Sequence, residues 1–171
     1  MDHGGSDHES FTAWATARRP GLLRTATFLT GDLARAEDLV QEALTKVAQR
    51  WPRLRDGNPD AYARQILVRD NVSWWRRNRH ELVTELPDPG GTPSAETGVE
   101  RRLVLLDALA RLTERQRAVL VLRYFDDLSE ADIAHALGVT TGTVKSTAHL
   151  ALRRLRDLAP ELSDLLPQEI R

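Results

Sequence analysis

Two adjacent indoles stand beside a run of guanidinium groups in Asn71-Val72-Ser73-Trp74-Trp75-Arg76-Arg77-Asn78-Arg79. Aromatic faces interleaved with arginine suit unpaired nucleic acid, because bases stack on indole while guanidinium groups hold phosphates. Unpairing a duplex costs a few kcal/mol per step, and stacking returns roughly 1–3 kcal/mol per base. Arg69, Asn71, Trp74, Trp75, Arg76, Arg77 and Arg79 are therefore candidate contacts to melted DNA. Successive helical residues lie about 100° apart, so at least one of the two tryptophans is also expected in a core.

A second constellation, of a different kind, lies near the C-terminus. On a helix from Thr141 to about Leu158, the residues Val144, Ala148, Ala151, Leu155 and Leu158 form one apolar stripe. Gly142, Lys145, Ser146, His149, Arg153 and Arg156 lie opposite, giving a basic, polar face without carboxylates. Just upstream, Ile133, Ala134, Leu137, Gly138 and Val139 supply the layout of a helix-turn-helix. Close helix crossing admits only a small residue at Ala134, and only glycine turns cheaply at Gly138. Thr141, Thr143, Lys145, Ser146 and His149 are thereby expected near base edges or flanking phosphates of a major groove, with Arg153 on the backbone. The plainer reading of the same face is a solvated basic surface. A third group, Asp38, Gln41, Glu42 and Thr45, forms the polar side of an amphipathic helix and suits either a protein partner or solvent.

What is missing narrows the chemistry further. There is no cysteine, and the five histidines show no metal-ligand spacing. No Gly-rich phosphate loop, nucleophile elbow or paired catalytic carboxylate motif is present, so neither catalytic residues nor a cofactor or metal is expected, and the chain does not read as an enzyme. The first ten residues are polar and acidic, and no run of eighteen apolar residues occurs; a soluble cytoplasmic protein is expected. The formal net charge of −1 gives no general attraction to nucleic acid, so binding must rest on local patches. Tyr62 to His80 carries five arginines against one aspartate, Glu81 to Gly98 four acids and no base, and Val139 to Arg156 four Lys/Arg and no acid.

These residues need helices to position them. Apolar content of 41% falls in helical spacing while aromatics make up only 5%, so an all-α fold is expected. Pro87, Pro89, Gly90, Gly91, Pro93 and Gly98 mark a flexible acidic linker over 81–98. It divides the chain into small helical domains at 11–80 and 99–159, with a disordered N-terminus over 1–10 and a C-terminal tail over 160–171. Phe11 to Phe28 predicts a helix interrupted near Pro20-Gly21. After Thr30-Gly31-Asp32, the face Leu39, Val40, Ala43, Leu44 and Val47 predicts a helix ending at Trp51-Pro52. Asp60 to Arg79 is helical in propensity, but its apolar residues point in nearly every direction; it is either packed on several sides or broken near Asp70 to Ser73. In the second domain a helix spans Glu100 to Leu112, and Thr113-Glu114-Arg115-Gln116 has the form of a capping box opening the next. Asp126-Asp127-Leu128 then turns, Ser129 caps a short helix, Gly138 closes it, and Thr140 or Thr141 caps the last.

Together these residues resemble the extracytoplasmic-function sigma factors of bacterial RNA polymerase, which retain only sigma regions two and four. The resemblance is carried by Ala36-Glu37-Asp38-Leu39-Val40-Gln41-Glu42-Ala43, by Trp74-Trp75-Arg76-Arg77, and by Leu112-Thr113-Glu114-Arg115-Gln116-Arg117-Ala118-Val119-Leu120 through Gly142-Thr143-Val144-Lys145-Ser146. It covers about Phe11 to Leu158, and the Ser-Trp-Trp-Arg-Arg form is similar to an actinobacterial SigE-like subgroup. The resemblance implies that Asp38, Gln41, Glu42 and Thr45 bind the clamp helices of the polymerase largest subunit. It implies further that the Trp74 to Arg79 segment reads and melts the −10 element and that the last helix reads the −35 element. The implied partners are core polymerase, including its flap region, double-stranded and melted promoter DNA, and an anti-sigma factor; a monomer and no membrane are expected. The chain departs from the family in placing Arg69 where asparagine often closes an Ile-Ala-x-Asn stretch. It also has Thr147 and Leu150 where the recognition helix commonly carries arginine. The competing reading is a helix-turn-helix regulator that binds operator DNA without polymerase, usually as a symmetric dimer.

Overall fold

A computed structural model describes residues 3–78, 97–164 and 166, and all regular structure among them is helical. The first domain holds α1 (His3–Thr30), α2 (Leu33–Gln49), α3 (Trp51–Leu54) and α4 (Pro59–Asn78). The second holds α5 (Thr97–Ala110), α6 (Glu114–Tyr124), α7 (Glu130–Leu137) and α8 (Thr141–Leu158), closed by a 3₁₀ turn at Pro160–Leu162.

Two expectations for α1 are corrected. The helix runs unbroken through Pro20, and it begins at His3 rather than after a disordered stretch over 1–10. Proline removes one ladder bond, at a cost of about 3 kcal/mol in a helix interior. Here Pro20 faces solvent, so water can satisfy the freed carbonyl, and tertiary packing anchors α1 on both sides of it. Before Pro20, Phe11 and Trp14 stack with Trp51 at ring-centroid distances of 5.4 and 5.3 Å. Trp51 Nε1 donates to Ser10 Oγ at 2.8 Å, and Arg55 pairs with Asp7, which draws the first turns onto the domain. After Pro20, Leu22, Ala26 and Leu29 enter the core.

The end of α1 follows the expected chemistry. Gly31 takes φ 73°, a left-handed conformation that costs glycine little, and the Asp32 side chain accepts the Arg35 backbone N–H at 2.7 Å to open α2. The stripe of α2 is buried at Leu39, Val40, Ala43 and Val47, while Leu44 is half-buried. The ambiguous segment resolves as packed on several sides: α4 is continuous and buries Ala63, Ile66, Leu67, Val68 and Asn71. It lies against α1 and α2 of its own domain and against α6 and α7 of the other.

In the second domain, Thr113 and Gln116 form the reciprocal capping box, and Ser129 caps α7 by accepting from Asp132 N. Arg117, buried inside α6, donates to the carbonyls of Leu109 at 2.7 Å, Ala110 at 2.8 Å and Leu112 at 3.4 Å. These carbonyls lie at and just beyond the C-terminal end of α5, where the regular helical ladder runs out. Burial lowers the Arg117 pKa to about 10, partly opposed by Glu114, so the guanidinium stays charged at neutral pH.

The two domains pack on one another. Phe28 and Phe125 approach to 4.2 Å between ring centroids, and Thr25 Oγ1 donates to Asp126 Oδ1 at 2.6 Å. Arg64 Nε lies 3.6 Å from Asp126 Oδ2, and Arg117 Nη1 donates to the Leu29 carbonyl at the end of α1 at 2.9 Å. Burial raises the Asp126 pKa, opposed by the Thr25 hydrogen bond and by Arg64 and Arg24. The expected linker lies largely outside the described residues, but Thr97 and Gly98 form the start of α5 instead. Leu162, expected in a tail, is buried against the second domain.

Candidate nucleic-acid interface

The helix-turn-helix is built as its residue types demand. Gly138 takes φ 65° and ψ 40° as the left-handed residue ending α7, where its N–H bonds His135 O and the Val139 N–H bonds Ala134 O. This αL cap satisfies carbonyls at the end of α7 and turns the chain into α8 within three residues. Thr140 opens α8 by accepting the Thr143 N–H at 3.2 Å. Ile133 and Ala134 of α7 and Val144, Ala148, Ala151 and Leu155 of α8 are buried, and so is Leu152, which lies outside the expected stripe.

On the outer side of α8, Thr141, Gly142, Lys145, Ser146, His149 and Arg153 are all exposed, so the structure brings the expected reading face together. Its members are not equally free. The hydroxyls of Thr140 and Thr143 lie 2.9 Å apart, which commits half-buried Thr143 to the cap, and Ser146 Oγ donates to Thr143 O at 3.1 Å. Lys145 Nζ lies 3.5 Å from Glu130 Oε2, while Arg123 donates to Glu130 Oε1 at 2.7 Å. The Arg123 hydrogen bond holds the Glu130 carboxyl below its ordinary pKa, with Lys145 adding to the effect. Glu130 therefore remains an anion that tethers Lys145 until a stronger anion competes. Leu150 is 56% exposed beside this face and offers only apolar contact, while Thr147 is half-buried.

The second surface lies on α4. Arg69 and Arg77 are exposed, and Trp74 is half-buried. Trp75 and Arg76 lie within α4, and Arg79 falls outside the described residues. Asn71 is a correction. It is only 2% exposed, its amide donates to the Leu29 carbonyl at 3.4 Å, and its Oδ1 accepts from Arg35 Nη2 at 3.4 Å, so it serves the interior and not a DNA face. Its place in a polar run suggested exposure, but three residues before Trp74 it falls on the inward side of α4.

Arg35, which the sequence reading did not single out, sits on this surface with its guanidinium carbon 3.4 Å from the centroid of the Trp74 ring. Burial lowers its pKa, opposed by Glu42, Asp32 and Asp38, with Arg77 adding to the lowering. Only contact across α2 and α4 reveals it, since 39 positions separate it from Trp74 in sequence. On the neighbouring face of α2, Asp38, Gln41, Glu42 and Thr45 are exposed, and the Thr45 hydroxyl returns to Gln41 O at 2.8 Å. No cluster of potential metal ligands occurs among the described residues, and none of their helices is long and apolar enough to cross a membrane.

Comparison with known proteins places both domains in one family. Residues 14–81 match the family model for sigma-70 region 2, and residues 102–155 match that for sigma-70 region 4. The chain is 41% identical over 160 residues to the RNA polymerase sigma-E factor of Streptomyces avermitilis, covering 92% of this chain and 88% of that one. It is 40% identical over 148 residues to the ECF RNA polymerase sigma factor SigL of Mycobacterium tuberculosis, covering 82% and 84%. In fold it is similar to the sigma factor RpoE of Bartonella quintana, solved in complex with the anti-sigma factor NepR. The TM-score is 0.68 at 25% identity, over 88% of this chain and 96% of that one.

Proposed function

The chain belongs to the extracytoplasmic-function sigma factors, and on that premise we propose that it binds core RNA polymerase and directs it to specific promoters. Region two, α1 to α4, contacts the polymerase through Asp38, Gln41, Glu42 and Thr45 and takes up the melted −10 element on Arg69, Trp74, Trp75, Arg76, Arg77 and Arg79. Region four, α5 to α8, reads the −35 element as duplex through Thr141, Thr143, Lys145, Ser146, His149 and Arg153, and meets the flap region of the polymerase. The observation that carries this reading is the pairing, in one chain, of two nucleic-acid surfaces of different kinds. The α8 face is polar and basic, fit for a groove, whereas the α4 face is aromatic and basic, fit for unstacked bases.

As a DNA-recognition subunit, the chain supplies no catalytic residue of its own; the chemistry belongs to the polymerase. It acts in the cytoplasm, where chromosome and polymerase are, and the likeness to a sigma factor solved with its anti-sigma factor supports a partner of that class here. Run-off transcription with core polymerase tests the reading: the purified chain should direct a discrete transcript from a specific promoter and bind that promoter weakly alone. Tight binding to a palindromic site without polymerase would establish the operator-binding alternative instead.

A further inference from the structure

We propose that Arg35 is a second, mobile contact to melted promoter DNA: it covers the stacking face of Trp74 in the free protein and passes to a phosphate when an unpaired base takes its place. This rests on the reading of Trp74 as a base-stacking residue. The separation of 3.4 Å between the guanidinium carbon and the ring centroid is the spacing of stacked planes, so Arg35 occupies the volume a base would fill on that face. A base can reach it only by displacing the side chain.

Arg35 is poorly held where it sits. Its only side-chain hydrogen bond among the described residues is the long one to Asn71 at 3.4 Å, and its Nε is buried with no acceptor among them. Glu42, Asp32 and Asp38 pull on its charge, yet no ion pair joins any of them to Arg35 among the described residues. Most of its five donors are therefore uncommitted, and a phosphate can use them in pairs. The lost cation–π contact and the gained base stacking are comparable in size, so the exchange is close to balanced and the phosphate contact tips it toward the open complex. Arg77, exposed one turn beyond Trp74 and close enough to feel the charge of Arg35, adds to the anion attraction at the same spot.

The test uses the complete chain assembled with core polymerase, bound to a forked promoter fragment whose −10 strand is unpaired and carries 2-aminopurine. Binding is measured against salt for the wild type, Arg35→Ala, Arg35→Gln, Arg35→Lys and Trp74→Ala. One phosphate contact on a single strand contributes about 0.7 to the slope of log K against log salt. Arg35→Ala and Arg35→Gln should each lower the slope by about that amount while 2-aminopurine stays quenched, and Arg35→Lys should keep the wild-type slope. An unchanged slope in both neutral variants, with quenching intact, overturns the role of Arg35 and leaves that of Trp74 standing. Unchanged quenching in Trp74→Ala overturns the reading of Trp74 itself, and the exchange with it. Arg35→Gln keeps a planar, polar side chain over the indole, so a folding defect confined to Arg35→Ala leaves the test decisive.

Discussion

Replacing Thr25 by valine should open the packed arrangement of the two domains. Thr25 is 2% exposed, and its hydroxyl donates across the interface to Asp126, whose side chain is 7% exposed and whose Oδ2 has no hydrogen-bond partner among the described residues. Valine keeps the volume and removes the donor, leaving a buried carboxylate with Arg64 at 3.6 Å and the more distant charge of Arg24. A hydrogen bond to a charged group contributes about 1.5–3 kcal/mol, so the ratio of separated to packed molecules should rise roughly 10- to 150-fold. On the proposed reading the domains must separate, because promoter elements about 25 base pairs apart lie about 85 Å apart at 3.4 Å per pair, whereas α4 lies directly against α6 and α7. The chain has no cysteine, so donor and acceptor dyes can be attached at Ala48→Cys on α2 and Asp157→Cys on α8. Thr25→Val should move single-molecule transfer toward the low-efficiency population and speed assembly with core polymerase. Adding Asp126→Asn should recover much of the packing, because a neutral amide tolerates burial better than a carboxylate. Identical transfer distributions for wild type and Thr25→Val would refute the reasoning.

Four further outcomes follow from the same geometry. Trp74→Ala with Trp75→Ala should reduce permanganate reactivity of the −10 region, by roughly 5- to 150-fold for one lost stack of about 1–3 kcal/mol, with core binding largely kept. Asp38→Ala and Gln41→Ala should do the reverse, weakening core binding in a competition titration while the thermal midpoint of the free chain stays near wild type. Lys145→Ala should lower the salt slope on −35 duplex by about 0.9, the value of one phosphate contact, with little effect on which sequence is preferred. Asp126→Asn should hold or raise the thermal midpoint at pH 7. Because burial raises the folded-state pKa of Asp126 above its ordinary value, its ionised form costs the native state stability. That cost is relieved as pH falls from the raised value toward the ordinary one, so the advantage of Asn over Asp should shrink across that window.

Where local chemistry decided the outcome, it could be read from the residues. The stripe of α2, the Thr113–Gln116 capping box, Ser129, Gly138 and Thr140 each depend on neighbours within a turn or two, and each forms as expected. At Pro20 a local helix breaker is overridden by packing at a distance, through Phe11, Trp14 and Trp51 on one side and Leu22 to Leu29 on the other. The outward face of α8 was legible for a related reason: a stripe and its complement are properties of one helix. Arg35 over Trp74, Asn71 turned inward and Arg117 reaching Leu29 join residues 36 to 88 positions apart. No periodicity within a segment encodes such pairings. The contact between domains was hidden for the same reason, since it rests on single side chains such as Thr25, Phe28, Phe125 and Asp126 and not on a repeated pattern.

Arg117 divides its hydrogen bonds unevenly, with three carbonyl acceptors in its own domain and one, Leu29, in the other. Among these bonds, parting of the domains removes the one to Leu29 and keeps those that close α5. The residue thus belongs chiefly to the second domain's own architecture. A chimera joining this first domain to the second domain of a relative therefore needs an arginine at this position to close α5, but no particular side chain at Leu29, whose backbone carbonyl is the acceptor. Promoter preference upstream and downstream can then be varied separately, by recombination between paralogues or by design, without rebuilding either hydrophobic core.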